Sequence, residues 1–424
     1  MTVPLWQPSK SAIEQSQMAQ FAERAGVVAA AADVEYQQLW QWSVDSRQQF
    51  WKEIWQQFDI IGEMGEVVLG EDGMPGAQWF PKAKLNFAEN MLRRRDNADA
   101  IVFVAEDGSR RVITFAQLAD KVRCLRTSLI HAGVGKGDRV AAYLPNVPEA
   151  IIAMLATSSL GAVWSSCSPD FGVTGVIDRF GQIEPKVLLG CVAYTYKSKV
   201  IDVSDKLRQI VDGVPSVEHV VVVPYADATV ASSYVEAGSV TPHTLFNDFM
   251  MAGVDGALDF VALDFNHPLY IMFSSGTTGK PKCIVHGQGG TLLQHRKEHS
   301  LHCDLRPDEK IFYFTTTGWM MWNWLSSALA VGATVVLYDG NPFYPDASAM
   351  FNLIDSEQVN VFGTSAKFID ACKNAQINPR RDHDLSSLRC ILSTGSPLIA
   401  ESFDWVYENI KSDLMLASIT GGTD

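Results

Sequence analysis

Positive charge is scarce in this 424-residue sequence: 34 Lys and Arg stand against 48 Asp and Glu, a formal net charge of −14. That balance argues against bulk binding to nucleic acid or to an anionic membrane, and leaves small molecules as the expected partners. Charge of either sign is sparse, at 19% against 47% hydrophobic residues, and no repeat or low-complexity tract is present, so a disordered chain is excluded. Cysteine is thin as well. Cys124, Cys167, Cys191, Cys283, Cys303, Cys372 and Cys390 are scattered, odd in number and never in C-x-x-C spacing. They indicate neither a disulfide framework nor a zinc ribbon, and they fit a reducing cytoplasm. The longest apolar stretch, "AIIAMLATSSLGAVW", falls short of the ~20 residues that span a bilayer and reads as a buried helix. The start, "MTVPLWQPSK", lacks the apolar run of a signal peptide. What remains is a globular chain long enough for two large α/β lobes.

What the sequence does carry is a loop. "FSSGTTGKPK", Phe273 to Lys282, puts two glycines, four hydroxyl residues and two lysines between two apolar runs. Gly276 and Gly279 permit backbone conformations closed to other residues, so several N–H groups can turn toward one point with no side chain in the way. Ser274, Ser275, Thr277 and Thr278 add hydroxyl donors, and Lys280 and Lys282 add cations that suit a polyphosphate better than a lone carboxylate. A nucleoside triphosphate fits this chemistry. The loop is not a Walker loop, because only two residues separate Gly276 from the Gly279-Lys280 pair and Pro281 follows in place of Ser or Thr. Nor is "GQGGTL" a dinucleotide fingerprint, since Leu292 occupies the place of the third glycine. The flanking "PLYIMF" and "CIVHG" read as short strands, giving strand, loop, strand.

Residues Glu35 to Phe58, with Leu39, Trp40, Phe50, Trp51, Ile54 and Trp55 at helical spacing, predict a helix whose tryptophans pack in the core or between lobes. "RRVITFAQLADKVRCLRTSLIHAGVGKGDRVAAYLPN" reads as a strand, a helix capped by Gly133, a glycine turn at Gly135 to Gly137 and a second strand. A helix from Pro148 to Leu160 and a strand in "GAVWSSCSP" follow, so the order β-α-β-α-β implies a parallel sheet with helices on its faces. The alternation recurs from Ile311 through "GATVVLYDG", "VNVFGTS" and "LRCILSTG", which predicts a second such lobe. Boundaries are expected near Ala98 and within the Gly/Ala/Ser-rich stretch Asp227 to Asp255. The basic run "LRRRDN", Leu92 to Asn97, reads as a solvated helix end, where cations are favoured.

The loop "FSSGTTGKPK" resembles the phosphate-loop signature of adenylate-forming enzymes, the superfamily of acyl-CoA synthetases, luciferases and peptide-synthetase adenylation domains. "WFPKAKLNFAENML" (Trp79 to Leu92), "TTTGWMMWNW" (Thr315 to Trp324), "LSTGSPL" (Leu392 to Leu398) and "SITGGTD" (Ser418 to Asp424) extend the resemblance over nearly the whole chain, most closely toward the acetoacetyl-CoA synthetases. The resemblance implies an α/β fold of the large N-terminal domain type, with two α/β lobes and a smaller β-rich subdomain. It implies an N-terminal helical extension over 1–97 and an AMP-binding (adenylation) domain over 98–424. The activity implied is an ATP-dependent acid–thiol ligase that takes acetoacetate, or another short acid, through an acyl-adenylate to its CoA thioester, using ATP, Mg²⁺ and CoA. In that superfamily a ribose-binding Asp, a hinge and a small lysine-bearing C-terminal domain follow the Thr-Glu motif, and these 424 residues do not contain them. The chain is therefore expected to be the N-terminal portion of a longer synthetase, short of full activity alone, or else a nucleotide-binding module.

By the same resemblance, Ser274, Ser275, Gly276, Thr277, Thr278, Gly279, Lys280 and Lys282 hold the phosphates of ATP. Gly395, Ser396 and Pro397 form part of the adenine wall, and Ser418, Ile419, Thr420, Gly421, Gly422 and Thr423 continue the nucleotide site. Thr423 touches the phosphate, and the Asp424 carboxylate holds Mg²⁺, a hard cation that wants oxygen ligands. Thr277, Lys280, Thr423 and Asp424 are the residues expected to act in catalysis, by orienting and neutralising the triphosphate. Trp319, Met320, Thr394 and Gly421 match acyl-pocket positions. At Gly421 the acetate enzymes carry a tryptophan, and its loss leaves room for the extra acetyl unit of acetoacetate; the alternative for Gly421 and Gly422 is a tight turn. Lys197 and Lys199 in "YTYKSK" lie near where related synthetases place basic residues for the CoA phosphates. Finally, "HRKEH", His295 to His299, fits the H-x-x-E-H zinc pattern, with His302 and Cys303 nearby. Directly behind a phosphate loop, where adenylation needs no zinc, it is read as a chance match.

Overall fold

The computed structural model describes residues 4–274 and 279–423. Two seven-stranded sheets organise them, and the α/β class expected from the sequence is borne out. The first sheet runs, in spatial order, His243–Leu245, His219–Val223, Val187–Cys191, Arg139–Tyr143, Val163–Cys167, Pro268–Ser274 and Lys282–Gly287. The second runs Met415–Ser418, Cys390–Thr394, Val361–Ser365, Lys310–Tyr313, Thr334–Asp339, Asp99–Ala105 and Arg110–Thr114. Neighbours are parallel except for the last pair of each sheet, which are antiparallel hairpins. Two small sheets lie beside them, one of Gly62–Glu63, Lys84–Leu85 and Leu263–Asp264, the other a hairpin of Ala193–Tyr196 and Lys199–Asp202.

Strands such as "HVVVV" and "VLLGC" are apolar at successive positions because both of their faces are covered. In the second sheet the pleat sorts the side chains. Ile101, Phe103, Ile311, Tyr313, Val335, Leu337, Val361 and Leu392 join the core shared with the first lobe, whereas Val102, Phe312, Val336, Phe362 and Ile391 join Phe351, Ile354, Phe368 and Val406 of the outer helices. Helices Phe115–His131 and Pro148–Ser159 lie in the shared core. The first starts at a capping box formed by Thr114 and Gln117, and the second carries Pro148 in its first turn. Every residue of Pro148–Ser159 except Glu149 is buried, as the apolar stretch led one to expect. Among the described residues no helix is long and apolar enough to cross a membrane.

The strand "RRVIT" does not belong to the first sheet. Arg110–Thr114 pairs antiparallel with Asp99–Ala105 in the second sheet, so helix Phe115–His131 crosses from one lobe to the other. The cause is local: Asp107-Gly108, with Gly108 at φ +81°, is a tight hairpin turn that fixes the strand to its predecessor. The stretch from Asp227 to Asp255 forms helix Ala228–Glu236, the edge strand His243–Leu245 and helix Phe246–Met251, whose Phe249 carbonyl accepts from Ser128 Oγ. The expected helix from Glu35 to Phe58 is two, Tyr36–Asp45 and Arg47–Gln57, broken at Ser46 (φ −119°, ψ 42°). Trp55 is buried there, but Trp40 is 45% exposed. The basic run follows helix Phe87–Met91 as an exposed helix end, with Arg93 and Arg95 exposed and Arg95 Nε donating to Leu92 O, and its arginines also reach neighbouring segments. Arg94 pairs with Asp96 and Asp308 and donates to Gly332 O, while Arg93 donates to the Phe58 and Asp59 carbonyls. These guanidinium forks tie separate segments together.

Candidate active site

Ligand crevices in open α/β sheets lie at the carboxyl ends of the parallel strands, and several of the expected site residues gather there. The Pro268–Ser274 and Lys282–Gly287 strands that flank the glycine-rich loop form an antiparallel pair that sets Ser274 opposite Lys282. Ser275, Gly276, Thr277 and Thr278 lie outside the described residues. Gly279 has φ +97° and open space where a Cβ would stand, a left-handed backbone that glycine enters without strain. Lys280 and Lys282 are exposed, and the Pro281 carbonyl accepts from Gln182 Nε2 at 2.9 Å, tying the loop to helix Val173–Ile183.

In the second sheet Ser393 registers with Ser418, Ile419 N donates to Ser393 O at 2.8 Å, and Thr394 Oγ1 donates to Ile419 O at 2.9 Å. The Gly395–Ser396–Pro397 bend and the segment Ser418, Ile419, Thr420, Gly421, Gly422 and Thr423 therefore leave adjacent strands side by side. That segment then reaches the hairpin of the first sheet: His286 Nε2 donates to Thr423 O at 2.6 Å, while the His286 ring lies 5.5 Å from that of Tyr270. Asp424 is outside the described residues. Gly421 has no positive φ, lies in a stretch without turn geometry and, among the described residues, has nothing within 4 Å of where its Cβ would stand, so it is not the tight turn of the alternative reading.

Trp319 precedes helix Met320–Ser326, and its half-buried ring meets Tyr313 edge-on at 6.0 Å. Between this segment and the hairpin of the first sheet lies a cavity lined by Trp164, Ser166, Arg179, Phe273, Gly318 and Asn323, among others. Two of these were missed by the sequence reading. The Arg179 guanidinium lies over the rings of Phe171 (4.7 Å) and Phe273 (5.7 Å). Asn323 is 4% exposed, with Nδ2 on Met272 Sδ at 3.4 Å. The available signal was Asn323 itself, a lone amide among the tryptophans of "MMWNW".

Lys197 and Lys199 sit elsewhere, on the exposed tip of the small hairpin. Lys197 (φ 50°) and Ser198 (φ 56°) donate their backbone N–H groups to the carboxylate of Glu106, which also accepts from Asn341 N at 2.6 Å. Beside them a second cleft is lined by Asn146, Asp170, Tyr194, Tyr196 and Asp339. Burial raises the Asp339 carboxyl to about 7, against the pull of the Tyr225 hydroxyl that donates to it at 2.8 Å.

The H-x-x-E-H residues have core roles. His295 Nδ1 and His299 Nε2 meet Ser327 Oγ at 3.0 and 3.1 Å, His299 Nε2 also donates to Trp324 O at 2.9 Å, and Glu298 accepts from Trp324 Nε1 at 2.7 Å. Burial lowers His299 to about 3 and His302 to about 4, which keeps both imidazoles neutral near pH 7. Among the described residues no group of three or more His, Cys, Asp or Glu side chains is placed to hold a metal ion.

A family model described as AMP-binding enzyme matches residues 87–418, and one described as acetyl-coenzyme A synthetase N-terminus matches residues 36–91. The chain is 51% identical over 424 residues to the acetoacetyl-coenzyme A synthetase of Rhizobium meliloti, covering 99% of this chain and 64% of that protein. It is 42% identical over 428 residues to the acetoacetyl-CoA synthetase of Mus musculus, covering 99% and 63%. The solved acetoacetyl-CoA synthetase from Streptomyces lividans superposes with a TM-score of 0.92 at 40% identity, covering 100% of this chain and 65% of that one. The chain thus spans less than two thirds of the length of each of these relatives.

Proposed function

The chain belongs to the AMP-binding enzyme family, and from that membership we propose that it is the adenylating portion of an ATP-dependent ligase that joins acetoacetate to CoA. A carboxylate has no competent leaving group. Its attack on the α-phosphate of ATP forms the acyl-adenylate and releases diphosphate; attack of the CoA thiol on the acyl carbon then expels AMP. The observation that carries the reading is the His286–Thr423 hydrogen bond, which ties the terminal motif of the second lobe to the phosphate hairpin of the first.

In this chain the work is orientation and charge compensation. Lys280 and Lys282 neutralise the triphosphate, with the hydroxyls of Ser274, Ser275, Thr277 and Thr278 as further donors, and Thr423 meets the phosphate from the opposite side. Gly395, Ser396 and Pro397 wall the adenine. Trp319, Met320, Thr394 and Gly421 enclose the acid, and Gly421 leaves the depth for its second carbonyl. Magnesium keeps several waters and is held through one or two carboxylates plus substrate phosphates, so Asp424 with the triphosphate suits it better than a protein cage. The ion would supply charge compensation on the phosphates. Lys197 and Lys199 are the candidates for the CoA phosphates. The test is acid-dependent exchange of labelled diphosphate into ATP by the full-length protein that carries this chain. Exchange is expected with acetoacetate at a kcat/KM above that for acetate; no acid-dependent exchange would remove the adenylation reading.

A further inference from the structure

We propose that Glu106 is a positioning residue for CoA, its carboxylate fixing the hairpin turn that presents Lys197 and Lys199 to the CoA phosphates. The proposal rests on the CoA reading of those lysines above and adds the group that holds them. Glu106 directly follows strand Asp99–Ala105 of the second sheet, whereas the hairpin of Ala193–Tyr196 and Lys199–Asp202 extends from strand Val187–Cys191 of the first. Glu106 Oε2 accepts from Lys197 N at 3.0 Å and from Asn341 N at 2.6 Å, and Oε1 accepts from Ser198 N. One side chain thus ties the hairpin of one lobe to the other lobe.

The surroundings are built for this carboxylate. Lys197 and Ser198 are the two residues between the paired strands, at φ 50° and 56°, a left-handed pair that hairpin turns usually fill with Asn and Gly. Other L residues enter that conformation at a cost, which two N–H groups aimed at one carboxylate offset. Gly340 completes the seat. A Cβ there would stand 2.5 Å from Glu106 Cβ, so glycine is what leaves Glu106 its place. Asn341, 5% exposed, donates Nδ2 to Tyr196 Oη at 2.7 Å, a second tie from the same segment to the same hairpin. The cleft beside it takes Tyr194, Thr195 and Tyr196 from the hairpin and Thr316, Tyr338 and Pro342 from the second lobe, so it opens between the lobes with the Glu106 contacts at its rim. Lys197 and Lys199, next to that rim, are exposed. Lysines carried on a turn held in this way have less ordering left to do when an anion binds.

The experiment measures KM for CoA and acid-dependent diphosphate exchange in the full-length protein, for the parent, Glu106→Ala, the pair Lys197→Ala with Lys199→Ala, and all three substitutions together, with thermal unfolding as the folding control. Glu106→Ala is expected to raise KM for CoA about 5- to 10-fold, while exchange, which precedes CoA, stays within about twofold of the parent. On the double-lysine background Glu106→Ala should add less than about twofold, because the carboxylate acts through those lysines. Glu106→Gln, which keeps one acceptor oxygen, should fall between parent and Glu106→Ala. A KM for CoA that is unchanged, or lowered because the carboxylate merely repelled phosphates, overturns the assignment; so does a full effect on the double-lysine background, or a loss of exchange as large as the rise in KM. If the double-lysine variant itself keeps the parent KM for CoA, the CoA reading of the lysines falls and this one with it. Should Glu106→Ala fail to fold, Glu106→Gln is read by the same comparison.

Discussion

Gly421 has an open position where its side chain would project and no left-handed backbone to forbid one. A Gly421→Trp substitution should therefore be tolerated by the backbone. On the proposed place of Gly421 beside the acid, we expect kcat/KM for acetoacetate to fall at least ~10-fold relative to that for acetate in the full-length protein, since an added indole takes the space of the longer acid first. Equal loss with both acids would mean that the segment holding Thr423 had been disturbed instead. At this scale the sequence was informative where an expectation rests on local chemistry: the apolar runs flanking the glycine-rich loop form the antiparallel strands expected of them. It was silent where a role depends on what is missing nearby. Nothing in spacing says that the Asn323 oxygen has no partner among the described residues, or that Glu106 clamps the turn bearing Lys197.

In the proposed function the hairpin of Pro268–Ser274 and Lys282–Gly287 is the element on which the site turns, and His286 is its link to the other lobe. His286→Phe preserves the aromatic face against Tyr270 but removes the N–H that Thr423 O accepts. Calorimetric titration with Mg-ATP should show affinity weakened by about 5- to 10-fold, while stability changes by no more than ~1 kcal/mol, the scale of one hydrogen bond at a half-buried site. Unaltered affinity would detach the terminal segment from the nucleotide site. The strands of both lobes could be read from the sequence because doubly covered parallel strands are apolar runs of characteristic length. Sheet membership could not. Arg110–Thr114 has the pattern of a strand, but which sheet it joins is decided by the Asp107-Gly108 turn behind it and by Val335 pairing with Ile101 far along the chain. Likewise the break at Ser46 leaves the helical periodicity of both flanking pieces intact, so periodicity alone did not reveal it.

For the molecule as a whole, buried titrating groups set opposite limits on stability. Asp339 has a folded pKa near 7, above the ordinary carboxylate range, so its proton is held more tightly in the folded chain. Its favourable contribution is full below that ordinary range and is lost as pH rises through about 7. His299, at about 3, and His302, at about 4, act the other way: their contribution is present above the usual imidazole range and is lost as pH falls toward those values. Asp339→Asn should therefore gain stability relative to the parent as pH rises, by on the order of 2 kcal/mol between about pH 5 and about pH 8, in urea unfolding followed at both. A difference that stays constant with pH would show that the Asp339 carboxyl does not titrate in this window.

The hairpin of Asp99–Ala105 and Arg110–Thr114 is made early and completed late. Its neighbour in the sheet, Thr334–Asp339, is synthesised only after the entire first sheet, through Gly287, has left the ribosome. Vectorial synthesis lets the first lobe collapse on pairings already to hand, while Val102 waits for the outer helices that will cover it. During that interval the hairpin offers the nascent chain's surroundings an unpaired strand edge, the kind of template that invites pairing with a neighbouring chain. Crowding on a polysome would thus endanger this protein most after its first sheet is folded, and the emergence of Val335 to pair with Ile101 ends the exposure.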